Sequence, residues 1–297
     1  MAMTPDHILV HPALDQCVRG QAQSLLLIHE ASQRIASLFA TQQRWLMAHA
    51  ALAQYFRAGS SNTGTGLLSE HVLDLVERHD LASRNTASAF LKELLKYGIV
   101  RHVAETEGER HRPVEPAPAT LEALFHWHLV HLATLDGLDG GSRSATFRAR
   151  PQTLGWLQPL IADGLLSSNA VREPDRTFSL FTWVNEGGIV MDRLIAGCQV
   201  EAADLDRIVT DVTSVSSLAQ RLRLSRTQLG RKLAAAEAMG SLGWCGTRGK
   251  SALWVSTGFK REYHAAQAAK LAIIDAAFEA CFIRDQRAEA SGEAASA

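Results

Sequence analysis

Residues 214–244, SVSSLAQRLRLSRTQLGRKLAAAEAMGSLGW, carry the pattern that decides the fold. Val215–Leu222 has the apolar spacing of a short helix, and Ser225 stands where the N-cap of a second helix belongs. This second helix covers residues 226–239. Gly240 ends it, because glycine readily adopts the backbone conformation that closes a helix. The segment therefore predicts two helices joined by a short turn.

The residues that follow predict a β-hairpin and a long helix. Leu242–Trp244 and residues 252–256 are apolar and β-prone, and a glycine-rich turn separates them. Residues 259–282 then repeat apolar side chains at helical spacing. Residues 286–297 are small and polar, so we expect a disordered tail.

Residues 67–103, LLSEHVLDLVERHDLASRNTASAFLKELLKYGIVRHV, show a similar order. Ser83 occupies the cap position, residues 84–97 read as a helix, and Gly98 occupies its end. Residues 99–103 are β-prone. We call residues 67–103 the first copy and residues 214–244, with the hairpin that they begin, the second copy.

The two copies align without gaps at an offset of 142 residues. Ser83 meets Ser225, Leu91 meets Leu233, and Gly98 meets Gly240. Because caps, core leucines and closing glycines coincide, we interpret the chain as an old duplication. The predicted divisions are a first repeat at 15–135, a linker at 136–150 that contains DGLDGGSRS, a second repeat at 151–285 and the tail at 286–297.

Residues 214–244, and in similar form residues 67–103, resemble the helix-turn-helix of winged-helix bacterial transcription regulators. Leu229 and Leu233 occupy the inward positions of a recognition helix, and Gly240 leads into the wing. Long helices on both sides of each copy are similar to the MarR-like arrangement, in which flanking helices form the dimer interface. The resemblance implies a mainly α fold with small β wings, built from two tandem winged helix-turn-helix modules joined by long interface helices about a pseudo-two-fold axis.

The outward side chains of the second copy are candidates for DNA contact. A recognition helix fits the major groove, where arginine can pair with guanine and glutamine with adenine. The helix and its cap supply Ser225, Arg226, Thr227, Gln228, Arg231 and Lys232. Arg248 and Lys250 lie at the predicted tip of the wing, beside a phosphate backbone or minor groove. We expect these residues to bind double-stranded DNA.

The first copy offers a weaker set of candidates for DNA contact. They are Ser83, Arg84, Asn85, Thr86, Ser88 and Lys92 on the helix, with Arg110 and Arg112 on the wing. Between residues 67 and 113, seven lysines and arginines face eight aspartates and glutamates. Between Arg221 and Arg261, nine basic residues face Glu237 alone. Charge therefore favours the second copy as the main DNA-binding element.

Composition places the chain among ordinary globular proteins. Of 297 residues, 46% are hydrophobic and 21% charged, and the net charge of −1 provides no global positive field, so DNA contact must come from local basic residues. The four cysteines form no CxxC pair, which argues against a disulfide framework or a zinc ribbon. Without a signal peptide or an apolar span, we expect a cytoplasmic protein.

Three other patterns are interpreted as structural. The segment GTRGKS, residues 246–251, is similar to a phosphate-binding Walker motif. Trp244 nevertheless occupies the position of the first glycine of that motif, and a strand follows where the motif needs a helix, so we reject nucleotide binding. On a helix only His128 and His131 share a face with each other, and His126 does not, so packed histidines are favoured over a metal site. No nucleophile elbow or carboxylate pair is visible. We expect no enzyme activity, cofactor or metal.

The MarR-like resemblance also bears on ligands and assembly. MarR-like proteins often hold small aromatic molecules between DNA-binding and interface helices, which implies an effector site lined by Trp45, His49, Trp183 and Met191. The fused copies favour a monomeric pseudo-dimer with two DNA-reading heads over a homodimer.

Three functions stay open on the sequence alone. The first is a transcriptional regulator, with or without an effector. The second is a tandem winged-helix factor for plasmid or chromosome replication or partition. The third is a winged-helix protein-interaction module that does not bind DNA. Salt-dependent binding to duplex DNA separates the third function from the other two.

Overall fold

A computed structural model describes residues 1–31, 39, 41–60, 66–103, 112–182, 187–204 and 206–296, with only the backbone for 60, 200–204 and 283–296. The described chain is mainly helical with two small antiparallel sheets. None of its helices combines the length and apolarity needed to cross a bilayer.

Helices dominate both halves of the described chain, and the strands follow one another in pairs. The first half contains α1 (Pro5–Leu9), α2 (Leu14–Ala31), α3 (Gln42–Ser60), α4 (Ser69–Arg78), α5 (Arg84–Lys96), β1 (Val100–His102), β2 (Val114–Pro116), α6 (Pro118–Asp139) and α7 (Arg143–Ala149). The second half contains α8 (Leu154–Ser167), α9 (Asn169–Arg172), α10 (Arg176–Thr182), α11 (Gly187–Ala196), β3 (Cys198–Asp204), β4 (Arg207–Thr210), α12 (Val215–Leu222), α13 (Arg226–Ala238), β5 (Leu242–Trp244), β6 (Leu253–Ser256) and α14 (Thr257–Ser296). A short 3-10 turn, Pro151–Thr153, precedes α8.

The chain forms two compact units, and each unit is discontinuous in sequence. Unit 1 comprises Met1–Ile8, Gln43–Ser168 and Ala269–Ala297, and unit 2 comprises Leu9–Gln42 and Asn169–Ala268. The predicted repeats at 15–135 and 151–285 do not coincide with these units. The reason is tertiary packing: α2 packs against α11 in unit 2, and α8 belongs to unit 1.

Each unit has its own apolar core. In unit 1, side chains of α6, α7 and α8 are fully buried, among them Leu132, Leu135, Phe147, Leu157 and Ile161. In unit 2, the corresponding set comes from α10, α11 and α14: Phe181, Met191, Leu194, Phe259 and Tyr263.

Both copies fold as two helices, a β-hairpin and a long helix. In the first copy these are α4, α5, β1–β2 and α6; in the second they are α12, α13, β5–β6 and α14. The hairpins pair antiparallel, and β4 extends the second sheet to the order β3-β4-β6-β5, whereas in the first copy Leu67 bridges Val114 of β2. The relation of the two copies by a two-fold axis stays a prediction.

The caps that the sequence predicted are present in both copies. The Ser83 hydroxyl accepts a hydrogen bond from the Thr86 amide at 3.2 Å, and Ser225 does the same for the Gln228 amide at 3.4 Å. Such a cap contributes about 1 kcal/mol to helix stability. At the other end, Gly98 and Gly240 both have positive φ, 68° and 71°.

The copies differ in two loop lengths, so the alignment without gaps is wrong. A left-handed residue, Asp80 in the first copy and Arg223 in the second, closes the first helix. Two residues (81 and 82) then precede the Ser83 cap, whereas one residue (224) precedes Ser225. The strands of the first hairpin are separated by eleven residues (103–113) and those of the second by eight (245–252).

The segment predicted as a linker, 136–150, is largely helical. Helix α6 continues to Asp139, and α7 begins at Arg143 after two glycines. The guanidinium of Arg143 donates to Asp275 at 2.7 Å and to both oxygens of Asp139 at 2.7 and 2.8 Å. Asp136 accepts bonds from the amides of Arg143 and Ser144 at 2.7 and 2.9 Å. These charges fix the segment within unit 1.

The stretch predicted as a tail, 286–297, follows α14 without a break in the backbone as far as residue 296. The backbone of α14 is helical from Thr257 to Ser296, although residues 286–296 carry no apolar repeat. Alanine has the highest helix propensity of all residues, so a helix already begun can continue through this alanine-rich stretch.

Candidate nucleic-acid interface

Helix α13 presents a polar outer face because its apolar side chains point inward. Leu229, Leu233 and Ala236 recur at helical spacing and are buried in unit 2. On the opposite side, the residues of the predicted DNA-binding face are exposed: Ser225, Arg226, Thr227, Gln228 and Arg231. Five of the six candidates predicted on this helix and its cap therefore lie on one exposed surface.

The two arginines of this face are available for an outside partner. Neither Arg226 nor Arg231 forms an ion pair with any residue that the structure describes. Beside the Ser225 cap, the first backbone N–H groups of α13 and the positive end of its dipole add to the attraction for an anion.

Lys232 does not belong to this face, which corrects its prediction as an outward DNA contact. Its side chain is 8% exposed, and Nζ donates a hydrogen bond to the Phe181 carbonyl oxygen at 3.1 Å. The ammonium also lies 5.9 Å from the Phe181 ring centroid. Position 232 falls between the inward positions 229 and 233, and the equivalent position in the first copy is the buried Phe90.

The hairpin loop of the second copy exposes two more basic side chains. Ser251 orders this loop, since its hydroxyl accepts a bond from the Gly246 amide at 3.0 Å and donates to the Thr247 carbonyl at 2.9 Å. Arg248 pairs with Glu237 at 3.1 Å, but Arg248 is exposed and Glu237 only half-buried, and such surface pairs are weak. Lys250 is exposed and forms no ion pair with the described residues.

In the first copy, the candidate helix is equally exposed but its arginine is occupied. Arg84 donates to Asp74 at 2.9 Å and to Glu77 at 3.5 Å, both on α4. The hydrogen bond to Asp74 and the neighbouring carboxylates raise the pKa of Arg84. Two negative charges therefore lie beside the cation that would have to meet a phosphate.

The remaining first-copy candidates lie in different surroundings. Ser83, Asn85, Thr86 and Lys92 are exposed, whereas Ser88 and Arg112 are half-buried. The Nε atom of Arg112 is buried without a hydrogen-bond partner among the described residues. Arg110 lies outside the described residues.

The positions of the second copy that correspond to Asp74 and Glu77 carry no charge. The backbone bonds from Leu81 to Val76 and from Leu224 to Ala219 close α4 and α12 in the same way, and they set the equivalence of the two helices. On that basis Asp74 corresponds to Ser217 and Glu77 to Gln220. Sequence reasoning counted these acids but did not foresee their contact with Arg84, because a contact between α4 and α5 is tertiary.

The predicted effector residues do not form one site within either unit. His49 is buried in unit 1, where its ring lies 4.7 Å from Trp45 and 5.0 Å from Trp127, and the Gln158 side chain approaches it at 3.1 Å. Met191 is fully buried in unit 2. Trp183 lies outside the described residues. The helix face that carries Trp45 and His49 and the face that carries Met191 are each packed against other parts of their own unit.

Two of the three histidines of α6, His128 and His131, are packed in the core. His128 and His131 are fully buried, and one ring nitrogen of each lies 2.7 Å from the carbonyl oxygen four residues earlier. His126 is exposed on the other side of the helix. Within the described ranges, no three histidine, cysteine, aspartate or glutamate side chains come together as a metal site.

Comparison of this chain with models of known protein families, with curated proteins and with solved structures found no match. The chemistry of the surface is therefore inferred from its geometry. An exposed helix face with two arginines that pair with no described residue, a polar N-terminus and a lysine-bearing hairpin suits a polyanion with a groove of helix width.

Proposed function

We propose that the chain is a double-stranded DNA-binding transcriptional regulator of winged helix-turn-helix, MarR-like type, and that the second copy makes the main contact. The observation that carries this proposal is the exposed face of α13, where Arg226 and Arg231 have no ion-pair partner within the described residues. Cations that neutralise phosphates supply most of the affinity of proteins for DNA.

The order of elements supports the same proposal. Helix α12, the short turn and α13 form the pair that would place α13 in the major groove. The hairpin β5–β6 would act as the wing and bring Lys250 to the neighbouring backbone. Gln228, one turn before Arg231, could read adenine while the arginine reads guanine.

The first copy has a different role in this proposal. Its Arg84 is neutralised by Asp74 and Glu77, so we propose that it adds register or selectivity rather than affinity. A role in protein contact becomes the favoured function of this copy if its exposed face proves indifferent to DNA.

Fluorescence anisotropy titrations on one duplex at several salt concentrations test the proposal. Arg226→Ala or Arg231→Ala should cost about 1–3 kcal/mol of binding free energy if the side chain reads a base. Lys250→Ala and Arg248→Ala should weaken all sequences alike and lower the salt slope by about one each. A genomic binding-site survey identifies the operator.

Arg84→Ala is the matched control, because it removes the equivalent arginine of the first copy and should cost less. If Arg84→Ala abolishes binding while Arg226→Ala and Arg231→Ala bind as the natural chain does, the roles of the copies are reversed. If no variant changes binding, the surface does not read DNA.

A further inference from the structure

The turn between α12 and α13 sets the direction in which the second helix leaves the first. Helix α12 ends at Leu222, and Arg223 follows in the left-handed conformation, with φ 53° and ψ 40°. Backbone bonds from Arg223 to Gln220 and from Leu224 to Ala219 satisfy two carbonyls in the last turn of α12. A helix end leaves four carbonyls without a partner inside the helix, so the others need donors from elsewhere.

A side chain from α2 supplies one of these donors. His29 lies on the buried face of α2, after Ala22 and Leu26, and is 7% exposed. Its ring donates a hydrogen bond to the carbonyl oxygen of Leu222. The donor atom is Nδ1, since Nε2 has no partner among the described residues. Because α2 lies outside the second copy and packs against α11, this bond fastens the turn to the body of unit 2.

The first copy holds its turn in a similar way with a different residue. Gln43, on α3, donates through Nε2 to the carbonyl oxygen of Leu81 at 2.8 Å. Leu81 is the equivalent of Leu224, two residues after the position of Leu222. In both copies, a side chain from a preceding helix therefore donates to the backbone of the turn. Since the two donors differ in residue type, the shared feature is the hydrogen bond and not the imidazole ring.

The second turn depends on its donor more than the first turn does. The left-handed residue of the first copy is Asp80, and aspartate tolerates this conformation because its short polar side chain can bond to the local backbone. Arginine lacks a short side chain of this kind. The left-handed backbone at Arg223 must therefore be held by the contacts around it, among them the bond from His29.

We propose that His29 is a positioning residue for the helix that reads DNA. By holding the Leu222 carbonyl, it fixes the angle at which α13 leaves α12, and with that angle the places that Arg226 and Arg231 reach. Contacts to base edges tolerate displacements of only about 0.5 Å or 10–20°, so a small tilt of the helix is enough to break them. The positioning role rests on the proposed function, whereas the fastening of the turn does not.

Hydrogen–deuterium exchange of the full chain tests the fastening without DNA. His29→Leu keeps a side chain of similar size in the core but leaves the Leu222 carbonyl without its donor. The amides of residues 223–226 should then exchange about tenfold faster, while the remainder of unit 2 exchanges as in the natural chain. His29→Gln supplies an amide donor, as Gln43 does in the first copy, and should restore the natural rate. An unchanged rate in His29→Leu overturns the fastening.

Anisotropy titrations on one duplex test the positioning role. His29→Leu should weaken DNA binding about tenfold, and His29→Gln should bind within about twofold of the natural chain. Gln43→Leu is the matched control, because it removes the donor of the first turn. It should change binding by less than about twofold, since the second copy makes the main contact.

A double-mutant cycle separates positioning from a general loss of stability, because residues that act through one another are not additive. When Arg231→Ala is already present, His29→Leu should weaken binding only about threefold, since one of the side chains that it positions is gone. When Lys250→Ala is present instead, the effect should stay about tenfold, because Lys250 lies on the hairpin and not on α13.

Full additivity of His29→Leu with Arg231→Ala overturns the positioning role, even if the turn exchanges faster. If the natural chain binds no duplex DNA at all, the proposed function fails and the positioning role fails with it. The exchange rates still decide in that case whether His29 holds the turn.

Discussion

The guanidinium of Arg84, at the start of α5, donates a hydrogen bond at 2.9 Å to the carboxylate of Asp74 on α4. Its counterpart Arg226 begins α13, and on the preceding helix α12 Ser217 stands in place of the aspartate. Two copies with the same elements and the same helix cap therefore differ in the charge that they present at the helix N-terminus. Mutation can move the acidic pair from the first copy to the second, and the neutral pair from the second copy to the first.

The double variant Asp74→Ser, Glu77→Gln should increase the affinity for duplex DNA about tenfold at low salt. The reason is that Arg84 loses its acidic partners and the local charge rises by two. Anisotropy titrations at several salt concentrations measure this gain, which should shrink as salt rises.

The reciprocal variant Ser217→Asp, Gln220→Glu should weaken DNA binding by a similar factor. Both substitutions lie on the exposed side of α12 and should leave the melting temperature almost unchanged. If the two double variants bind DNA like the natural chain, the carboxylates do not determine which copy makes contact.

Lys232→Met should destabilise the protein by about 1–3 kcal/mol, because the Phe181 carbonyl then loses its buried donor. DNA binding by the folded variant should stay near that of the natural chain, since the side chain does not reach the outer face. Chemical denaturation and anisotropy measure the two effects. Lys92→Met, at an exposed position of α5, is the control and should leave stability unchanged; strong loss of DNA affinity in Lys232→Met would show that the lysine acts at the surface.

Replacing either of two glycines of the second copy by alanine should change the free energy of unfolding, but in opposite directions. A Cβ would have open space at both Gly230, within α13, and Gly240, after it, but only Gly240 has positive φ, +71°. Gly230→Ala should stabilise the chain by about 0.5–1 kcal/mol, because alanine is the better helix former. Gly240→Ala should destabilise it by about 1–2 kcal/mol, the cost of a left-handed conformation. Thermal and urea unfolding compare them, and effects of equal sign would contradict this explanation.

Unit 1 should lose stability as the pH falls below 6.5. Burial lowers the pKa of His49 to about 3 and that of His128 to about 4, and it lowers the pKa of His131 well below its usual range. Below pH 6.5 the unfolded chain takes up protons that the folded chain does not, so each histidine reduces the free energy of unfolding by about 1.4 kcal/mol per pH unit until its folded pKa is reached.

Urea denaturation between pH 7 and pH 5 measures this slope. His128→Leu keeps an apolar side chain of similar size in the core and should make the slope shallower by the contribution of one histidine. An identical slope in this variant would mean that His128 does not account for the acid sensitivity.

The local parts of the fold were predictable from the sequence because short-range physics produces them. Serine caps at 83 and 225 satisfy nearby amides, and glycines at 98 and 240 allow positive φ. The apolar spacing around Leu229 and Leu233 likewise determines which face of α13 turns outward. These features depend on residues within one or two turns, so they are readable before any tertiary contact exists.

Tertiary packing decided the features that sequence spacing did not show. Lys232 can be buried because the Phe181 carbonyl from another helix accepts a hydrogen bond from its ammonium group, and Arg84 is neutralised because α4 brings Asp74 beside it. The segment at 136–150 is ordered because Asp275, far along the chain, receives the Arg143 guanidinium. In each case the partner is distant in sequence or on another element. The sequence by itself therefore determined the helices, their caps and the outward face, whereas the three-dimensional contacts determined which of its charges are free to bind.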